Sequence, residues 1–255
     1  PISIVIWPTV IAIAIYILTA KTNRPYRIWQ WQKQQWHFLL KAIKIGWPTG
    51  LLIGEEIAFL FVFSFFMGKI SISTLAANQI ALQFIGFFTT LVWGIGQATS
   101  ARVGNKIGEQ SGTKAKLAGI TGIQLSLAIT LVIAIIFLFF PHAIIAIDFH
   151  QPHTQLSNEA AMFLRISSIY LILNTTRILA NCALRAYKDT YFSLIVSLVI
   201  LWIIAIPLGY FAAFHSSLGP IGFWIAAIIG ELVGTMLLLN RFIWKKNDEP
   251  LLARH

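Results

Sequence analysis

Seven apolar stretches, each close to the length that crosses a bilayer, follow one another along a chain of 255 residues. They run Ile2–Ala20, Ile45–Met67, Leu75–Ala101, Leu117–Phe140, Glu159–Leu184, Tyr191–Phe214 and Ile221–Trp244. About 20 helical residues cover the roughly 30 Å of hydrocarbon in a membrane. At that depth no water satisfies the backbone, and a helix pairs its own amides and carbonyls within one segment. The expected fold is therefore all-α: a polytopic membrane protein with a six-helix transmembrane bundle, one additional N-terminal span and a cytoplasmic interfacial helix. Composition agrees, with 57% hydrophobic and 11% charged residues against roughly 25% charged in soluble domains.

Loop charge sets the orientation. Segment 21–44 carries Lys21, Arg24, Arg27, Lys33, Lys41 and Lys44, and segment 102–116 carries Arg102, Lys106, Lys114 and Lys116. Arg185 and Lys188 follow, then Arg241, Lys245, Lys246 and Arg254. These alternate with loops 68–74, 141–158 and 215–220, which hold Lys69 alone. By the positive-inside rule, loop 21–44 and the C-terminus face the cytoplasm. The chain divides into the end of a preceding span (1–20), a cytoplasmic connecting loop (21–44), the bundle (45–244) and a cytoplasmic tail (245–255). Trp29, Trp31 and Trp36 among glutamines and lysines suggest an interfacial helix over Ile28–Lys41, in contact with membrane lipids. The opening at Pro1, inside an apolar run, reads as the interior of a longer polypeptide, not as a signal peptide.

Several function classes fall away. The net charge of +10 lies in loops between spans, so nucleic acid is not the partner it implies. Cys182 stands alone, which excludes an internal disulfide and a cysteine metal cluster. His142, His150, His153 and Asp148 share a loop without metal-site spacing and read as solvated. No phosphate-binding glycine signature is present. No cofactor and no enzymatic activity are expected.

What remains is polarity inside the spans. Glu55 and Glu56 interrupt the second stretch, Arg177 the fifth and Glu231 the seventh. A charge at bilayer centre costs at least about 2.5–3.5 kcal/mol and faces protein or a wet cavity. Gln79, Gln83, Thr90 and Gln97 share one face of the third stretch; Ser167, Tyr170, Asn174, Arg177 and Asn181 share one of the fifth. Adjacent on a helix, Glu55 and Glu56 diverge by about 100°, so both cannot point straight at one cavity. Arg177 is a candidate to neutralise one of them.

These residues resemble a known family. Gly46-Trp47-Pro48-Thr49-Gly50 with Glu56 six residues on is similar to the start of the seventh helix of multidrug and toxic compound extrusion (MATE) transporters. Ala76-Ala77-Asn78-Gln79-Ile80-Ala81-Leu82, Arg102-Val103-Gly104 and Ala183-Leu184-Arg185-Ala186-Tyr187-Lys188-Asp189-Thr190 resemble its later motifs in order. Pro207-Leu208-Gly209-Tyr210 and Gly222-Phe223-Trp224 extend the likeness to about residue 240.

The resemblance implies the second six-helix bundle of a twelve-helix exporter, the partner N-terminal bundle being absent. It implies exchange of cationic or amphipathic small molecules for H⁺ or Na⁺ across the cell membrane, the bacterial inner membrane being the expected one. Glu56 takes the coupling-acid position, with Asn174, Arg177, Asn78, Gln79, Gln83, Tyr170, Glu55 and Glu231 as candidate cavity residues. One departure stands out: where sodium-coupled members carry an aspartate eleven residues before the motif arginine, this chain has Asn174, with Arg177 one turn on. Coupling through protonation of Glu56 tolerates that change better than a cation site does. The alternatives are a lipid or lipid-linked sugar flippase of related fold, which Arg177 would favour, and an inactive remnant of a split gene.

Overall fold

A computed structural model describes residues 2–19, 36–148 and 154–245. Two compact units divide the chain, residues 1–43 and 44–255. In the first, α1 (Ile2–Thr19) is apolar throughout and contains Pro8. The interfacial helix expected over Ile28–Lys41 falls mostly outside the described residues; its last residues, 36–41, are the first turns of α2.

The rest forms a bundle of α2 (Trp36–Ile70), α3 (Ile72–Gly108), α4 (Gly112–Phe139), the short α5 (Pro141–Asp148), α6 (Gln155–Ala186), α7 (Thr190–Leu198), α8 (Ile206–Phe214) and α9 (Pro220–Ile243). Six of the described helical segments are long and apolar enough to cross a membrane, α7 and α8 counting as one span. Loop 141–158, expected to be irregular, instead opens with α5. The described helices overrun the apolar stretches because a helix continues into polar ends where hydropathy stops registering it.

Local chemistry sets the joints. Ser71 alone separates α2 from α3, and its hydroxyl accepts from the Thr74 amide at 2.9 Å, capping α3. Thr154 caps α6 through the Ser157 amide at 3.2 Å. Before α9, Gly219 adopts φ 55° and Pro220 takes the first helical position. Between α7 and α8, residues Val199–Ala205 widen into a π-helix, with the Ile206 amide reaching back to the Leu201 carbonyl. Pro207 explains the widening: it has no N–H to donate, and its ring crowds the carbonyl four residues earlier.

α6 lies at the centre. Residues 174–184 are buried without interruption, which requires neighbours on all sides. Trp224 of α9, 1% exposed, gathers rings from two other helices: Phe63 of α2 at 5.3 Å, and Phe163 and Tyr170 of α6 at 6.2 and 5.9 Å. Offset and edge-on rings such as these add about 0.5–1.5 kcal/mol per pair beyond area burial. The outward faces carry Ile57, Phe61, Phe65, Ile135, Ile195 and Ile203, all exposed, as a lipid-facing surface demands.

α8 and α9 approach through Gly222. A Cβ there would lie 2.7 Å from the Ala212 carbonyl carbon and 2.9 Å from the Ala213 amide nitrogen. Backbone cannot step aside as a flexible side chain can. Gly222→Ala is expected to cost about 1–3 kcal/mol by overpacking, read as a lowered unfolding midpoint of the purified chain in detergent. An unchanged midpoint would mean that the two helices do not meet there.

Candidate functional site

Two helical turns from the aromatic cluster along α6, Arg177 sits 1% exposed. Its Nε donates to Glu231 Oε2 of α9 at 2.7 Å, and its Nη2 donates to Glu56 Oε1 of α2 at 3.1 Å. Nη1 reaches Ser197 Oγ of α7 at 3.4 Å. Asn174 Nδ2 donates to the second oxygen of Glu231 at 3.3 Å. One guanidinium therefore joins four helices. Arginine suits this because its planar fork presents several donors and keeps its charge when buried.

The two carboxylates are not equivalent. Glu231 is wholly buried, with a bond on each oxygen. Glu56 is bound through one oxygen, and its side chain retains 15% exposure. The packing beside the arginine is close at Gly234, where a Cβ would lie 2.7 Å from Ile200 Cδ1 and 3.3 Å from Arg177 Cδ.

Glu55 goes elsewhere, as the helical angle requires. It is 7% exposed, and neither carboxylate oxygen meets hydrogen-bond geometry with any described group. The charges of Arg177, Glu56 and Glu231 act on it, and the Trp202 indole N–H approaches it as a donor without meeting full hydrogen-bond geometry.

The other sequence candidates separate. Asn174 joins the cluster; Tyr170 packs against Trp224 instead. Asn78 is fully buried, and both ends of its carboxamide lack a hydrogen-bond partner among the described residues. Gln79 donates to Ser64 Oγ at 3.0 Å. Gln79, Gln83, Thr90 and Gln97 all lie on an exposed face of α3, so that stripe points out of this bundle and not into it. Spacing identifies a shared face but not the direction in which it looks. Ser197 and Trp202 were not singled out from sequence; Ser193 and Ser197, four residues apart in an apolar span, were the available signal.

One turn from the cluster toward the basic end lies a small open crevice. Leu52, one turn before Glu56, Asn181, one turn after Arg177, and Ser193, one turn before Ser197, line it together with Arg185. Beyond the crevice the Ala183–Thr190 motif closes the bundle. Arg185 Nη2 donates to Gln97 Oε1 of α3 at 2.7 Å. Asp189 accepts from Arg241 Nε at 3.0 Å and from Lys245 Nζ beyond α9. Lys188 turns the chain with φ 59°, an unusual conformation for a residue with a side chain.

Partial burial pushes the Asp189 carboxyl up, but hydrogen bonds from Lys245 and Arg241 outweigh it and hold the group below its ordinary value. The stability this tie gives is fully present above the unfolded-state pKa of about 3.9. It disappears as pH falls through the lower folded-state value. Because Arg241 is half exposed, solvent screening keeps the tie within about 1 kcal/mol. The difference in unfolding midpoint between the wild type and Asp189→Asn should be present at neutral pH and vanish in acid. A difference independent of pH would contradict this.

The MatE family model matches residues 56–211, more than half of the chain, and takes in Glu56, Asn174, Arg177 and Ser197 of the ion cluster, with Glu231 beyond its end. This chain belongs to the MatE family. A probable multidrug resistance protein NorM of Deinococcus radiodurans is 31% identical over 205 residues, covering 79% of this chain and 46% of that protein. The probable NorM of Mannheimia succiniciproducens is 28% identical over 260 residues, covering 99% and 56%. Among solved structures, the eukaryotic MATE transporter AtDTX14 superposes with a TM-score of 0.83 at 17% identity, over 96% of this chain and 55% of that one. A MATE in its straight conformation gives 0.79 at 18% identity, over 91% and 52%. These structural matches establish the shared MATE fold. The chain spans about half the length of the curated relatives it matches, and the match corresponds to the C-terminal half of a MATE transporter.

Proposed function

We propose that this MatE chain is one bundle of a cation-coupled multidrug efflux antiporter that works by alternating access against a second, N-terminal bundle. The observation that carries this reading is the contact between Arg177 and Glu56, 3.1 Å long, at the one acid of the cluster that keeps some exposure. Protonating Glu56 removes its half of that ion pair. Arg177 then remains with Glu231, and α2 loses its charged tie to α6 and α9. A coupling ion thereby changes how one helix is held.

The proton suits this site better than Na⁺. Glu56 needs only to exchange a guanidinium bond for an O–H bond. A sodium ion would need several oxygen ligands where Arg177 already sits. Asn174, committed to Glu231, offers it no second charge. The crevice beside Leu52 and Asn181 is the approach to Glu56 from the basic end, which faces the cytoplasm of a bacterial inner membrane in this reading. Cationic or amphipathic drugs are the cargo, and the exposed polar face of α3, with Gln79 and Gln83, lines the cleft between the bundles.

The flippase alternative rested on Arg177 as a basic cavity group. With Arg177 buried and spent on two carboxylates, that support is gone. The test is drug-driven ion flux in the complete two-bundle protein, comparing Glu56→Gln with Glu55→Gln.

A further inference from the structure

The bundle holds one more acid than the Arg177 bridge can use. Three carboxyl groups feel a single guanidinium inside the membrane-spanning region, Glu56 and Glu231 bonded to it and Glu55 at longer range. All three guanidinium nitrogens are engaged, Nε by Glu231, Nη2 by Glu56 and Nη1 by Ser197. The charged groups that act on Glu55 are Arg177 from α6, Glu56 from its own helix and Glu231 from α9; the segment between α7 and α8 adds the indole N–H of Trp202, a neutral donor. Two of the three charges repel a Glu55 carboxylate, and the attracting one is shared by two acids already.

A buried carboxylate without hydrogen bonds is among the most costly groups a protein can hold, while the neutral acid costs far less. Glu55 is 93% buried, and both of its oxygens lack a bond. We propose that Glu55 is a second proton-binding site of this bundle, separate from the Arg177-bridged carboxylates and occupied by a proton while that bridge is closed. The ligand is a proton, because among the described residues no group of three or more His, Cys, Asp or Glu side chains is placed to hold a metal ion. Opening the bridge by protonating Glu56 frees one guanidinium donor and removes one of the two negative charges that repel an ionised Glu55. This goes beyond the coupling role given to Glu56 and stands on the geometry of Glu55 itself, so a failure of the export reading leaves it in place.

Infrared difference spectroscopy on the purified chain in lipid nanodiscs, in H₂O and D₂O near neutral pH, tests it. The expected result is a neutral carboxylic C=O stretch that shifts in D₂O, disappears in Glu55→Gln and persists in Glu56→Gln. A wild type without that band, or a band that survives in Glu55→Gln, overturns the proposal. Should Glu55→Gln fail to fold, Glu55→Asp decides: the band must move in frequency if residue 55 carries it, and an unmoved band rejects the assignment.

Discussion

Replacing Arg177 with methionine is expected to destabilise the bundle by about 3–5 kcal/mol, the cost of leaving a buried charge without its partner. The charge left behind is Glu231, 0% exposed and bound at 2.7 Å by the side chain that is lost. Glu56, with its 15% exposure, relaxes toward solvent more easily and adds less. Methionine fills much of the arginine's volume, so the effect reports on charge and not on a cavity. The double variant Arg177→Met/Glu231→Met is expected to recover most of the loss, since apolar replacements of a buried pair are often neutral or stabilising. Unfolding of the purified chain in detergent, followed for both single variants and the double, gives the coupling between the two residues. Additive losses would mean that Arg177 and Glu231 do not stabilise the fold through each other.

The expected Arg177 pairing shows how far sequence carried the site. Placing Glu55, Glu56, Arg177 and Glu231 at bilayer depth needed only the hydropathy pattern and the cost of charge in hydrocarbon. Separating Glu55 from Glu56 needed only the helical angle, and the structure sends one to Arg177 and leaves the other without a bond. Choosing Glu231 as the tighter partner was beyond that reasoning, because the residues lie 54 positions apart and meet only through the packing of α9 on α6. The third-span stripe shows what period leaves open. Its spacing puts Gln79, Gln83, Thr90 and Gln97 on one face, and only the structure shows that this face is exposed on the bundle. Hydropathy marks Tyr191–Phe214 only as one apolar stretch; Pro207 is the residue in it that accounts for the widened backbone. Charge, period and proline positions are local properties; which face meets which neighbour is settled by the other helices.

In the proposed mechanism, Glu56 is the acid through which an ion would drive the complete two-bundle protein. Two features set it apart in that role: a single bond to Arg177, and a side chain that keeps 15% exposure. Glu231, bonded on both oxygens, instead holds the arginine in place. Glu56→Gln keeps the shape and a hydrogen-bonding oxygen but removes the charge that a coupling ion must neutralise. Its cost in stability is expected to be small beside that of Arg177→Met, because Arg177 keeps Glu231. Its cost in coupling is expected to be complete.

The decisive measurement is drug-dependent proton and sodium flux in proteoliposomes holding the complete two-bundle protein as wild type, Glu56→Gln or Glu55→Gln. The account predicts proton flux in the wild type, flux at the level of empty liposomes in Glu56→Gln, and an intermediate loss in Glu55→Gln. Equal flux in all three proteins would contradict it.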